Sequence, residues 1–153
     1  MSLSVLNLKL SIAPADLGGY RLEDQVGFYL RRAGQRHASI FMREMNDDLT
    51  PTQWAALVKV AELKSVSQNQ LGRDTAMDVA TIKGVVDRLI RRRLVTTHTD
   101  PDDSRRNLIE VTPEGREVIA RRLPAAAAVT EETLKSLNIA ERVQLLELLR
   151  RIA

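Results

Sequence analysis

Two neighbouring arginines in a short polar segment are the residues of this chain best suited to contact nucleic acid. Arg105 and Arg106 end the segment 100–106, which lies between two runs rich in β-branched residues. Such runs on either side of a polar turn predict a β-hairpin, with both arginines at its tip. Arginine is favoured where a protein enters a narrow minor groove of DNA. Asp103 lies two residues before Arg105 and could hold its guanidinium through a bidentate pair.

A second set of candidate contacts lies on a helix predicted to begin after Asp78, which can cap it. Its apolar residues recur at helical spacing and are expected to be buried: Val79, Ile82, Val86, Leu89 and Ile90. The opposite face carries small and hydrogen-bonding residues: Ala80, Thr81, Lys83, Gly84, Asp87, Arg88 and Arg91. Small residues allow close approach to the major groove, and polar ones can read base edges. Any solvated helix also has one polar face, so this face alone does not indicate DNA binding.

The segment before this helix completes a helix-turn-helix pattern. Ser67-Gln68-Asn69-Gln70 has the spacing of a capping box and predicts a short helix that continues to about Thr75. In a helix-turn-helix, the first helix braces the second, which lies in the major groove. A helix-turn-helix followed directly by a hairpin with arginines at its tip is much less expected by chance than either feature alone. The combination predicts a winged helix-turn-helix that binds double-stranded DNA.

The remaining elements are mostly helical, and most have a recognisable start. In chain order they are an amphipathic helix over 22–46, a helix from Thr50-Pro51-Thr52-Gln53 to near Leu63, strands over 94–99 and 107–111, a helix from Thr112-Pro113 that Pro124 should kink or break, and a last helix capped by Asn138. Aromatic residues make up only 3% of the chain, which favours packed helices over a β-sandwich. The predicted fold class is mainly α with a small β-hairpin.

Composition excludes several other classes of function. The chain has no cysteine, and its two histidines, His37 and His98, are far apart in sequence, so we expect no metal site and no cofactor. A Ser/His/Asp set and a glycine-rich phosphate loop are both missing from the sequence, so we expect no catalytic residues. There is no run of 18 apolar residues and no signal peptide, which predicts a cytoplasmic protein without a membrane span.

The charge balance permits nucleic-acid binding but does not require it. The net charge is +3 and the isoelectric point is near 9.6. From Val79 to Arg116, eight Lys and Arg side chains oppose six Asp and Glu side chains. Affinity for DNA would therefore depend on where the arginines lie and on dimerisation, and not on bulk charge.

Residues 50–115 resemble the MarR family of bacterial transcriptional regulators. The matching segments are Leu49-Thr50-Pro51-Thr52-Gln53-Trp54, Thr81-Ile82-Lys83-Gly84-Val85-Val86-Asp87-Arg88-Leu89, Leu94-Val95, Asp100-Pro101-Asp102-Asp103-Ser104-Arg105-Arg106, Leu108 and Thr112-Pro113-Glu114-Gly115. The pattern Asp-Pro, Asp-x-Arg and Thr-x-x-Gly is the most specific part. Length and helix order extend the likeness from about residue 22 to residue 153.

The resemblance implies one winged-helix regulator over 1–153 that binds a palindromic operator as a homodimer, most often as a repressor. It implies a DNA-binding part over 50–115 and dimerisation helices over 1–46 and 113–153, although the terminal segments could instead complete the core of the monomer. Its implied contacts are Thr81, Lys83 and Gly84 in the major groove, Arg105 in the minor groove, Asp103 orienting the wing, and Ser67 and Gln68 near phosphate. Many members have arginine where this chain has Gly84, which leaves the operator sequence open.

The segment 31–39 resembles members of the family that control aromatic-acid catabolism. This likeness implies an effector that is a small aromatic acid or its coenzyme A thioester. Arg36 and His37 could pair with its carboxylate, and Trp54 could wall its ring. The alternative is that Arg36 is solvated while His37 and Trp54 belong to the core. A winged-helix module that binds protein and not DNA is the remaining alternative for the whole chain.

Overall fold

The architecture is helical, with one small sheet formed by a strand between the second and third helices and a hairpin between the fourth and fifth. The structure is a computed structural model that describes residues 18–46 and 49–153. After a single 3-10 turn at Leu22–Asp24, the helices are α1 (Val26–Glu44), α2 (Pro51–Leu63), α3 (Gln68–Asp74), α4 (Val79–Arg91), α5 (Pro113–Thr133) and α6 (Ile139–Ile152). The strands are β1 (Ser65–Ser67), β2 (Val95–Thr99) and β3 (Asn107–Val111). The predicted helices and the hairpin are present, and the predicted helix over 22–46 begins four residues later as α1.

Side-chain caps set the starts of α2 to α6, as the sequence predicts. Thr50 and Gln53 form a reciprocal capping box at α2, and Asn138 forms another at α6. At α3 only one half of the predicted box forms, because Ser67 Oγ accepts from the backbone N–H of Gln70 while the Gln70 side chain donates to Asp74. Each cap satisfies an N–H group that has no partner within its own helix.

The sheet has three strands, one more than predicted, in the order β1-β3-β2 with both pairs antiparallel. Ser65 of β1 lies opposite Glu110, and Thr96 of β2 lies opposite the same residue from the other side. The additional strand joins the end of α2 to the start of α3. It has only three residues, too few for an alternating pattern to be visible in the sequence.

One apolar core holds the helix-turn-helix and the sheet together. It combines buried residues of α2, α3, α4 and all three strands, including Leu57, Leu71, Leu89 and Ile109. The face that α4 turns toward it differs from the prediction. Ile82, Val85, Val86 and Leu89 are buried. Val79 and Ile90 are exposed, which makes their predicted burial wrong.

Two glycines allow backbones to approach closely inside this part of the molecule. A Cβ on Gly115, in the first turn of α5, would lie 2.1 Å from the carbonyl oxygen of Leu94. A Cβ on Gly72 in α3 would lie 3.1 Å from the carbonyl oxygen of Met77 and 3.3 Å from the Ile82 side chain. Gly115 therefore lets α5 begin against the strand that follows α4, and Gly72 lets α3 pack on α4.

Helix α5 is continuous through Pro124, so of the predicted kink or break at this residue the break is wrong. Proline removes the hydrogen bond to the carbonyl four residues earlier, here that of Ala120. Pro124 and Ala120 are both exposed, which leaves water to satisfy that carbonyl. The alanines that follow favour the helix and offset part of the cost.

A second, smaller core joins the end of α1 to α5. Ile40, Phe41 and Met45 are buried against Val129. Trp54 of α2 is half-buried and packs against both this core and the larger one. The end of α1 and the last third of α5 are thereby attached to the winged part of the chain, which comprises α2 to α4 and the three strands.

Candidate nucleic-acid interface

The outer face of α4 presents most of the residues predicted to read DNA. Asp78 caps the helix, and its Oδ1 accepts from the backbone N–H of Thr81 at 2.7 Å. This hydrogen bond lowers the pKa of the Asp78 carboxyl below its ordinary value. Ala80, Thr81 and Lys83 are exposed. In helix-turn-helix proteins the start of the recognition helix contacts base edges, so the role of these three exposed residues stays a prediction.

The remaining predicted residues of α4 lie further along the same helix. Arg88 is exposed and Gly84 is half-buried. Lys83 Nζ donates to Asp87 Oδ2 at 3.1 Å, and both side chains are well exposed. An exposed pair of this kind contributes little stability, so the lysine can exchange Asp87 for a base or a phosphate.

The wing is built around a buried carboxylate at its base. Asp100, which is 9% exposed, accepts the backbone N–H of Asp102 at 2.9 Å. Its own N–H donates to the carbonyl of Arg106 at 2.9 Å, and Arg106 Nε lies 3.8 Å from its Oδ2. These contacts close the turn and place Arg106 beside the wing base. Asp100 belongs to the Asp-Pro pattern but was not predicted as a site residue, although an aspartate side chain that accepts the backbone N–H two residues later is a recognised turn signal.

Arg105 is the exposed cation of the wing tip. Its side chain is 90% exposed, and its Nε donates to Asp103 Oδ1 at 3.2 Å. The same oxygen accepts the backbone N–H of Arg105 at 3.1 Å, so the predicted bidentate pair is replaced by a contact with one oxygen. The side-chain bond with Arg105 is the main reason that the pKa of Asp103 is lowered. Because Nε makes this contact, the terminal nitrogens keep their donors for another acceptor.

Ser67 and Gln68 lie at the start of α3 and are half-buried. Ser67 Oγ accepts the N–H of Gln70 at 3.4 Å, which leaves its hydroxyl proton able to donate. Their proposed contact with phosphate is compatible with this position at a helix N-terminus, where anions are favoured.

The residues predicted to bind an effector share a different region, at the junction of α1, α2 and α5. Arg36 donates to the carbonyls of Thr133 and Glu132, at 2.6 and 3.1 Å, and so satisfies the end of α5. His37 Nδ1 lies 3.0 Å from Thr133 Oγ1. Arg36 is nevertheless exposed, so the alternative that it is solvated stays open. His37 and Trp54 are half-buried, and the role of all three in binding an effector stays a prediction.

Helix α4 follows a short helix and a tight turn, and it is followed by a hairpin and then by α5, which begins close to the end of α4. This order of elements defines a winged helix-turn-helix protein. The model of the MarR family matches residues 47–106. The HTH-type transcriptional repressor NicR of Pseudomonas putida is 40% identical over 143 residues, which cover 93% of this chain and 90% of that protein. This chain belongs to the MarR family of transcriptional regulators.

Two solved structures support the same fold. A probable transcriptional regulator from Pseudomonas aeruginosa is 49% identical with a TM-score of 0.85, and the match covers 87% of this chain and all of that one. BpsR of Bordetella bronchiseptica is 39% identical with a TM-score of 0.84, covering 87% of this chain and 96% of that one. The part of this chain that the structure describes contains no helix able to cross a membrane.

Proposed function

We propose that this protein is a repressor that binds a palindromic operator as a homodimer. The exposed face of α4 enters the major groove, with Thr81 and Lys83 reading bases, while Arg105 enters the adjacent minor groove. The single observation that carries this proposal is the wing tip, where Arg105 is held through Nε and its side chain is otherwise exposed. A bacterial transcriptional regulator would act in the cytoplasm. We propose no catalytic role for this protein.

Dimerisation through the terminal helices is supported by apolar side chains that the single chain leaves exposed. Ile139, Val143 and Leu146 form one stripe on α6, and all three are exposed. A stripe at this spacing is the usual signature of a helix that packs on another helix. The predicted contribution of residues 1–17 lies outside the described residues. A two-fold dimer would place its recognition helices about 34 Å apart, one turn of DNA.

We propose that an aromatic acid releases this regulator from DNA. The relative BpsR is described as a protein whose DNA binding is regulated by 6-hydroxynicotinic acid. In this chain, His37 and Trp54 flank the junction where α1 meets the end of α5, and Arg36 supplies a cation there. A ligand lowers DNA affinity only if it binds better to the conformation that does not bind DNA. Arg36 exchanging its carbonyls for a carboxylate would provide such a difference.

The DNA part of the proposal is tested by a gel-shift titration of selected operator DNA. Arg105→Ala is expected to weaken binding about tenfold or more, because one charge-assisted contact per half-site is lost in a dimer. Arg121→Ala removes another exposed arginine, in α5, and is expected to leave affinity unchanged. If both variants bound the operator as tightly as the wild type, the wing would not be part of the DNA interface. A failure of the wild type to select any DNA would favour the protein-binding alternative.

The effector part is tested by a thermal-shift screen with 6-hydroxynicotinic acid, related aromatic acids and their coenzyme A thioesters. A ligand at 100 times its Kd raises the free energy of unfolding by about 2.7 kcal/mol, which is easily measured. The active compound should also release DNA in the gel-shift assay. Stabilisation that is unchanged in His37→Ala and Trp54→Phe would exclude the proposed site.

A further inference from the structure

Val79 is an apolar side chain whose exposure the proposed dimer does not explain. Most large hydrophobic residues that are exposed in the described chain lie in α1, α5 and α6 or just before α1. Val79 lies in α4, at the start of the recognition helix, and is 72% exposed. Of the exposed hydrophobic residues between 50 and 112, it is the most exposed, ahead of Leu63 and Ile90.

The position of Val79 is fixed by local structure. Asp78 caps α4 through Thr81, so Val79 is the first residue of the helix. At helical spacing it precedes Lys83 by one turn, and both lie on one flank of the exposed face. A β-branched side chain has few rotamers in a helix and therefore loses little entropy when a partner covers it.

The neighbouring residues allow a partner to approach this flank. Ala80 adds only a methyl group, and a Cβ on Gly84 would meet no described atom within 4 Å apart from its chain neighbours and the backbone of its own helix. Packing within the chain therefore gives no reason for a glycine in the middle of α4, where it costs about 0.5–1 kcal/mol relative to alanine. Val79, Ala80 and Gly84 together form a small, largely uncharged surface beside Lys83.

We infer that Val79 contacts the C5-methyl group of a thymine in the major groove and so selects for that base at one position of each half-site. The thymine methyl is the apolar feature of the major-groove edge, and aliphatic side chains recognise it by direct contact. Residues at the N-terminus of a recognition helix are those that reach base edges. This inference rests on the proposed function, and it assigns to Val79 a preference that hydrogen-bonding residues cannot supply.

The test removes the methyl group from each side of the contact in turn. Binding-site selection with the wild-type protein first defines an operator, and each thymine is then replaced by deoxyuridine, one symmetric pair at a time. At the position read by Val79, the wild type should bind about fourfold more weakly for each half-site changed, the value of one buried methyl. Val79→Ala should bind the thymine operator more weakly and show no further loss with deoxyuridine there.

Two control variants separate a base contact from a general effect on the protein. Leu63→Ala shortens an exposed apolar side chain at the end of α2, outside the proposed dimer and DNA contacts, and should keep the full deoxyuridine penalty at every position. Val79→Ile keeps the branched methyl groups and should retain the penalty as well. Since Val79 is exposed, Val79→Ala should melt at the wild-type temperature.

The outcomes distinguish this inference from the function on which it rests. Loss of the deoxyuridine penalty at one position in Val79→Ala, and in neither control, supports the contact. A selected operator whose deoxyuridine penalties are the same in the wild type and in Val79→Ala overturns the contact, while DNA binding stands. A wild-type protein that selects no sequence overturns the proposed function itself.

Discussion

The winged part of the chain and the last helix differ in how far their apolar residues are buried. In the winged part, Leu57, Leu71 and Leu89 are almost entirely covered by their own chain. In α6, every residue keeps part of its surface exposed in the described chain, and Ile139 is 81% exposed. The winged part covers its own apolar residues. Helix α6 instead carries an apolar stripe that the single chain does not cover.

This difference separates residues that hold the fold from residues that remain available to partners. Burial of apolar surface is the main force that stabilises a fold, so the winged part supplies most of the stability. An uncovered apolar stripe contributes to stability only when a partner covers it. Substitutions in the two regions should therefore affect different measurements.

The largest effect is expected from Gly115→Ala, where α5 begins against the winged part. The added Cβ would lie 2.1 Å from the Leu94 carbonyl oxygen and 2.7 Å from the Val111 side chain, and the Leu94 backbone cannot shift easily. Overpacking of this severity is expected to lower the free energy of unfolding by about 3 kcal/mol or more. Denaturation in urea, followed by circular dichroism, measures the loss. Wild-type stability in this variant would show that α5 can begin elsewhere.

The next effect is expected from Val143→Asp, in the uncovered region. A carboxylate in the middle of a helix-helix contact would weaken the dimer by about a hundredfold, while the helical content of the chain stays the same. Sedimentation velocity over a range of concentrations measures the dissociation. Gln144→Asp adds the same charge at the neighbouring, exposed position and should leave the dimer intact. A dimer that resists Val143→Asp would place the interface on another surface.

A smaller effect of opposite sign is expected from Gly84→Ala, on the exposed face of the winged part. The Cβ would enter open space, so the substitution should raise the free energy of unfolding by about 0.5–1 kcal/mol through reduced backbone freedom. Affinity for DNA should fall in the same variant if α4 approaches the groove closely. Thermal denaturation and a gel shift measure the two quantities. A drop in stability would mean that Gly84 has a packing role.

The smallest effect is expected at the wing tip, where the contacts are local and exposed. The hydrogen bonds with Arg105 lower the pKa of Asp103 below its ordinary value of 3.8, so this carboxylate stabilises the folded wing above that pH. The contribution is lost as the pH falls through the lowered pKa, and it changes little above about pH 5. Carboxyl chemical shifts in NMR should titrate below 3.8 in the wild type and closer to it in Arg105→Ala. Equal midpoints in both proteins would contradict the contact.

The parts of the fold that were predicted correctly depend on residues close together in sequence. Thr50 with Gln53, and Asn138 with Glu141, determine helix starts through contacts three residues apart. The hairpin follows from β-branched runs on either side of a turn. The helix-turn-helix, the wing and the exposed positions of Thr81, Lys83 and Arg105 could therefore be predicted from the sequence.

The tertiary structure alone decided the features that depend on distant residues. β1 exists only because β3, more than forty residues later, is available to pair with it. Val85 is buried and Val79 exposed because the sheet and α2 cover one side of α4, which helical spacing alone does not reveal. Arg36 binds carbonyls that lie nearly a hundred residues away. Local contacts are encoded in short segments, whereas the covering of one segment by another is settled only when the whole chain packs.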